Sequence, residues 1–263
     1  MRSFAYHRPA DLPAALGLLA ATPDSRPYAG GMSLLPLIKL QLAAPAALVD
    51  LADVPALDGI AVAGGVLTIG AMTRHAAVAR SAAVRAAIPA LAALAGGIGD
   101  PQVRNRGTLG GSLAHADPSA DYPAGVLGLG ATIVTDRREI AADAFFTGLF
   151  ATALAAGEVI TTVRFPVPLR AGYVTQRNPA SRYAIAGVFV AKFAAGVRVA
   201  VTGAGPCAFR VPEMEAALSA DFAPEAIAGI TVSEQGLNSD LHAEAGYRAH
   251  LIGVLARRAV AAS

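Results

Sequence analysis

Gly97-Ile98-Gly99-Asp100-Pro101-Gln102-Val103-Arg104-Asn105-Arg106-Gly107-Thr108-Leu109-Gly110-Gly111-Ser112-Leu113-Ala114-His115-Ala116-Asp117-Pro118 departs from any packing pattern. The stretch is rich in glycine and polar side chains, yet it lies between hydrophobic elements. Long loops inside a compact domain are usually functional, so a functional loop is expected from Gly97 to Gly130. Within it, Thr108-Leu109-Gly110-Gly111-Ser112 has an upstream counterpart, Ala29-Gly30-Gly31-Met32-Ser33. A lone glycine pair ordinarily marks a turn that needs positive φ. Two pairs, each followed by a hydroxyl residue and an apolar run, are better explained by backbone that must approach a diphosphate closely.

Around these clusters the pattern is mixed. Asp11 precedes a helical stretch, Leu12, Ala15, Leu16, Leu19, that stops at Thr22-Pro23-Asp24. Pro27-Tyr28-Ala29 reads as a strand leading into the first glycine pair and a short helix, Leu35 to Gln41. Such a strand, glycine turn and helix start aims several N–H groups at one point. Ala47 to Leu51 reads as a buried strand, and Gly59 to Ile69 as a hairpin around Gly64-Gly65. Thr73 is expected to cap a helix through Ser81, followed by Ala82 to Leu94 with a break at Pro89. Leu127 to Val134 and Glu158 to Phe165 read as strands, with a short helix from Asp143 to Phe150 between them. Pro166-Val167-Pro168 makes a boundary. Beyond it, Gly172 to Gln176, Ala184 to Phe193, Val197 to Thr202 and Phe209 to Val211 read as an antiparallel sheet. Helices follow, ending with Ala245 to Val260. The expected domains are therefore 1–168 and 169–263.

Composition narrows the function. The 263 residues are 54% hydrophobic and 15% charged, with a net charge of +2, and Lys39 and Lys192 are the only lysines. That mix excludes disorder and gives no basis for nucleic-acid binding. The longest charge-free stretch, Gly59 to Thr73, is shorter than the about 20 apolar residues of a spanning helix. Residues 1–9 lack an apolar signal core, so the expected compartment is cytoplasmic. The single cysteine, Cys207, excludes an internal disulfide or a four-thiolate cluster. Electrons, if they matter here, must be held by an organic cofactor or a partner. No GKS or GKT is present, and Gly203-Ala204-Gly205 lacks the third glycine of a Rossmann loop, so an anion would be held by N–H groups and hydroxyls.

Four elements carry a family resemblance: Ala29-Gly30-Gly31-Met32-Ser33-Leu34; Ile69-Gly70-Ala71-Met72-Thr73; Ile98 to Asp121; and Asn178-Pro179-Ala180-Ser181-Arg182-Tyr183-Ala184. In this order, across essentially the whole chain, they resemble the FAD-binding medium subunit of molybdenum hydroxylases, the carbon monoxide dehydrogenase and xanthine dehydrogenase family. The resemblance implies an α+β fold. Its first part is a two-part FAD-binding domain of the vanillyl-alcohol oxidase-like (PCMH-type) fold, with subdomains of about 1–55 and 56–168. A C-terminal antiparallel sheet with helices follows. The expected partners are an iron-sulfur small subunit and a molybdopterin-binding large subunit, which would hold the [2Fe-2S] clusters and the molybdenum cofactor, in a dimer of heterotrimers. Substrate would be oxidised on the large subunit, and electrons would reach FAD here and leave to an external acceptor.

The same resemblance assigns cofactor contacts. Ala29, Gly30, Gly31, Met32, Ser33 and Leu34 would bind the FAD diphosphate through N–H groups, Ser33 adding its hydroxyl. Thr108, Gly110, Gly111 and Ser112 match the loop that closes from the other side. Asp121 matches an aspartate that accepts from ribityl hydroxyls, a role suited to a group that only accepts. Ile98 would pack on the isoalloxazine, Ile160 would lie by its pyrimidine edge and Tyr183 beside the ring. His115 stands between a flavin hydrogen bond and a structural contact. Many relatives carry a lysine where this chain has Thr175, with Arg177 as the candidate to compensate. Asp100, Arg104 and Arg106 are expected as salt bridges holding the flavin loop, and Asp136 to Glu139 as a hairpin turn with solvated charges. His75 is expected at the surface, His242 and His250 as structural or exposed, and Cys207 as a buried inert thiol. Two other readings stay open: a stand-alone FAD-dependent reductase of the same fold, and a scaffold that has lost FAD.

Overall fold

The computed structural model describes residues 3–263 and mixes helix with sheet. Near the N-terminus, β1 (Ala5–His7), α1 (Leu12–Ala21), β2 (Ser25–Tyr28), α2 (Leu34–Lys39) and β3 (Ala47–Asp50) build a parallel three-stranded sheet with β3 in the centre. A central strand in such a sheet is covered on both faces, and all four residues of β3 are buried. The start of α1 follows from Asp11, whose carboxylate accepts from the Ala14 N–H at 2.8 Å. Ala15 and Leu19 then pack on Val49, Leu51 and Leu57.

The hairpin of β4 (Ile60–Ala63) and β5 (Val66–Gly70) turns on Gly64 and Gly65, both at positive φ. A helical run follows: α3 (His75–Arg80), α4 (Ala82–Ala87), α5 (Pro89–Gly97), α6 (Pro101–Arg106), α7 (Leu109–His115) and α8 (Tyr122–Gly128). Then come β6 (Thr132–Thr135), β7 (Glu139–Ala141), β8 (Phe146–Gly148), β9 (Ala151–Thr152) and β10 (Ile160–Pro166). An antiparallel sheet of order β4-β5-β10-β6-β7 carries the helices against its apolar side.

Several expectations fail here, each for a local reason. The Gly97 to Gly130 stretch is mostly helical, because Asp100 caps α6 at the Val103 N–H (2.7 Å) and Thr108 caps α7 at the Gly111 N–H (3.2 Å). Leu127 to Val134 is not one strand, since α8 runs to Gly128 and the chain reverses at Gly130 (φ +59) before β6. Asp143 to Phe150 holds only a 3-10 turn at residues 142–144, and its last residues form the β8 to β9 hairpin. Thr73 does not cap α3, because its hydroxyl bonds Asp58 and the Gly59 carbonyl instead.

The C-terminal sheet is β11 (Arg170–Arg177), β12 (Ala184–Phe193), β13 (Gly196–Thr202) and β14 (Phe209–Arg210), antiparallel in that order. Helices α9 (Pro212–Ala220) and α10 (Ala245–Ala261) cover one face through Val188, Val190, Val199 and Leu255. The other face sends Phe189, Ala191 and Ala200 into the core beneath α5 and α8. Burial on both faces explains why β12 reads as an unbroken apolar run. Gly128 in α8 leaves room for the Phe189 ring, since a Cβ there would stand 2.9 Å from it.

Candidate functional site

The two glycine clusters face each other. A Cβ built on Gly30 would lie 2.7 Å from the Gly107 Cα and 2.8 Å from the Arg106 carbonyl carbon, so the loop before α2 and the segment between α6 and α7 touch backbone to backbone. A Cβ on Gly111 would meet the Ala29 Cβ at 3.5 Å. Gly31 holds φ +74, the left-handed region that favours glycine, and turns the chain into α2 beneath the Tyr28 ring.

The clusters differ in what they offer. The N–H groups of Gly30, Gly31, Met32, Ser33 and Leu34 find no acceptor among the described residues, and the Ser33 hydroxyl makes no cap bond to α2. Successive free N–H groups beside a left-handed glycine form a concavity suited to an anion. In the second cluster every N–H group after that of Thr108 is engaged within the chain. Leu109 donates to the Thr73 carbonyl (3.1 Å), Gly110 to that of Ala71 (2.8 Å), Gly111 to the Thr108 hydroxyl and Ser112 to the Thr108 carbonyl (3.0 Å). Gly110 is required by Ala71, whose Cβ an added side chain would meet at 2.6 Å. Ala71 in turn donates to the Thr161 carbonyl (2.9 Å), which ties this cluster to β10 next to the buried Ile160. The Ser112 hydroxyl has no partner among the described residues, so the second cluster contributes a wall and a hydroxyl.

A second group of the expected residues gathers at the start of α8 and the β11 to β12 turn. Asp121 is buried, and its Oδ1 accepts from the Tyr173 hydroxyl (2.6 Å) and from Arg177 Nη2 (3.0 Å). Burial raises the Asp121 pKa above the usual carboxylate range, and Arg177 and Tyr173 partly offset that rise. Arg177 also donates to the Arg182 carbonyl (3.1 Å) and lies against Gly97, beside Ile98. Tyr183 is half exposed, and partial burial together with the Asp117 carboxylate pushes its phenol up. The turn is pinned to the loop before α8 by Ala184, which donates to the Ser119 carbonyl at 3.4 Å. His115 ends α7, about 10 Å from its start by helical rise, with its ring against Phe150 at 5.2 Å between centroids.

Other expected roles change. Asp100, Arg104 and Arg106 form no salt bridge among the described residues: Asp100 caps α6, Arg104 donates to the Ile98 and Gly99 carbonyls, and the Arg106 guanidinium has no partner. His75 is buried, not at the surface. It packs on Tyr122 at 5.3 Å between centroids, its Nδ1 has no partner, and burial together with Arg104 lowers its pKa to about 4. Cys207 is half-buried, so its thiol is shielded only in part. The 136–139 turn is present, but its charges are engaged, with Arg138 paired to the buried Glu158 at 3.0 Å and Asp136 accepting from the Val159 N–H. His242 is exposed, beside Asn178. Sequence reasoning missed Tyr173 and Arg74. Tyr173, Thr175 and Arg177 alternate along β11, and that spacing of two was the available signal.

Comparison with known proteins bears on this arrangement. The family model described as the FAD binding domain in molybdopterin dehydrogenase matches residues 2–168. The nicotine 6-hydroxylase medium subunit of Paenarthrobacter nicotinovorans is 39% identical, over 97% of this chain and 95% of that protein. The carbon monoxide dehydrogenase medium chain of Hydrogenophaga pseudoflava is 35% identical, over 99% and 96%. Among solved structures, quinoline 2-oxidoreductase from Pseudomonas putida 86 superposes with a TM-score of 0.90 at 31% identity, over 99% of this chain and 96% of that one.

Proposed function

Because the chain belongs to the family of FAD-binding domains in molybdopterin dehydrogenases, we infer that it is the FAD-binding, electron-transfer subunit of a heteromeric molybdenum hydroxylase. The observation that carries the reading in this molecule is the run of acceptor-free N–H groups from Gly30 to Leu34, set against the Thr108 to Ser112 wall. These residues fit a diphosphate: a run of acceptor-free donors from Gly30 to Leu34 and two unengaged hydroxyls on Ser33 and Ser112. FAD, when bound, supplies a carrier that can exchange electrons singly or in pairs.

The chain's own residues bind and orient. Ala29 to Leu34 would hold the diphosphate, with Thr108, Gly110, Gly111 and Ser112 closing the opposite side. Asp121 keeps Oδ2 nearly free, at 3.4 Å from Arg177 Nη1, and can accept from ribityl hydroxyls through it. Ile98 and Tyr183 would flank the ring, the Ile160 backbone would serve its polar edge, and His115, held by Phe150, would orient the end of α7. No residue here has to act as an acid or base on substrate. With one cysteine, the chain leaves the iron-sulfur clusters and the molybdenum cofactor to partner subunits.

The finer proposals follow the same reading. The fold is of the PCMH type, divided into 1–168, with parts of about 1–55 and 56–168, and 169–263. The complex is a dimer of heterotrimers. We place it in the cytoplasm; no described helix is long and apolar enough to cross a membrane.

The test is flavin uptake by the purified full-length chain. One FAD per chain retained through gel filtration is the expected result, and a chain that stays colourless after added FAD overturns the reading. Turnover of the isolated chain with a nicotinamide donor would favour the stand-alone reductase instead.

A further inference from the structure

We propose that Arg74 and Arg106 form a pair of cations that neutralises the diphosphate held by the Gly30 to Leu34 loop. Both side chains line one cavity of about 300 Å³, together with Tyr28 and Leu35. Those last two residues are the neighbours that a Cβ on Gly31 would strike, so the cavity lies next to the left-handed glycine of that loop. Arg106 precedes the backbone on which Gly30 packs, and Arg74 bridges Thr108 through the backbone, so both guanidinium stems start at the junction of the two glycine clusters.

Pairing sets these two apart from the third arginine in the cavity. Arg8 is held by Asp53 at 2.6 Å. Asp50, the cavity's own carboxylate, accepts from the Tyr6 hydroxyl and the Ala52 N–H. Neither Arg74 nor Arg106 makes a hydrogen bond or an ion pair through its side chain among the described residues. Two unpaired like charges in one cavity repel each other, and a doubly charged anion at the neighbouring loop would outweigh that repulsion by attracting both. Guanidinium suits the task because its planar donors match phosphate oxygens in pairs.

The inference rests on the FAD reading, and its test separates the two. FAD affinity of the full-length chain is measured by flavin fluorescence across a series of NaCl concentrations, for wild type, Arg74→Gln, Arg106→Gln, the double variant and the two lysine variants. Each glutamine change is expected to weaken FAD about two- to fivefold at low salt, because both arginines are exposed and an exposed charge pair contributes only modestly. The double variant should show a flatter dependence on salt, because fewer ionic contacts remain to be screened. Arg74→Lys and Arg106→Lys should restore much of the affinity by restoring the charge. Wild type that binds no FAD overturns the FAD reading itself. Glutamine variants with wild-type affinity and salt dependence overturn this proposal alone, as does a loss that lysine fails to rescue, which would mark a structural role.

Discussion

Gly30→Ala tests whether close approach of the two loops holds the site together. The added Cβ would strike the Arg106 carbonyl oxygen first, and would lie 2.7 Å from the Gly107 Cα and 2.8 Å from the Arg106 carbonyl carbon, where ordinary contact begins at 3.4 Å. The loops must therefore part by at least roughly 0.7 Å, and none of these neighbours is a flexible side-chain end that could swing aside. Gly30 does not hold a positive φ, so the cost comes from contact and not from backbone strain. Overpacking of this kind costs about 2 kcal/mol, which in a chain of this size lowers Tm by about 4–8 °C. The effect on FAD should be larger, because stretching even one charge-assisted N–H bond by that amount forfeits most of its about 1.5–3 kcal/mol, a loss of about tenfold or more in affinity. Gly17→Ala is the control. No heavy atom lies within 4 Å of its added Cβ, and as an interior position of α1 it should gain up to about 1 kcal/mol. Thermal melts and flavin titration read both. Wild-type Tm and wild-type FAD affinity in Gly30→Ala would refute the idea that this contact positions the donors.

Two further outcomes are expected. His75, buried with a pKa near 4 against 6.5 when exposed, takes up its proton more readily in the unfolded chain, so stability present above pH 6.5 is lost as pH falls toward 4. The loss should approach about 3 kcal/mol and be missing in His75→Phe, so parallel urea-melt profiles for the two chains between pH 7 and 4 would refute it. Asp121→Ala should cost about 2 kcal/mol by freeing Arg177 and Tyr173, and should weaken FAD several-fold; unchanged affinity by titration would count against its ribityl role.

What was legible in the sequence had local causes. Asp11 as a cap, Gly64-Gly65 as a hairpin turn and the apolar run of β12 each carry their structure within a few residues, and each element formed where read. The Gly97 to Gly130 stretch misled because glycine content suggested a loop, whereas Asp100-Pro101 and Thr108 were helix starts in plain view. His75 could not be placed from a six-residue helix, whose burial depends on Gly107 and Tyr122 arriving from later in the chain. The contrast between the two glycine clusters was equally out of reach. Only the pairing of Leu109 and Gly110 with Thr73 and Ala71 shows that one cluster has used most of its donors and the other has not.

The question raised by Thr175 changes form once β11 is seen in place. Its hydroxyl donates to the Ala186 carbonyl at 3.2 Å, so it is engaged by the neighbouring strand and brings no charge. The cation on this face is Arg177, two residues along, but it is committed to Asp121 at 3.0 Å and to the Arg182 carbonyl. A guanidinium bound to a buried carboxylate presents a dipole and not a free positive charge, and its field falls off faster than that of a lone ammonium. Arg177 therefore does not supply the free positive charge that the family resemblance leads one to look for at position 175. Its work is to hold Asp121 in its charged form against burial and to seat the β11 to β12 turn, which carries Tyr183, on Gly97 and Ile98.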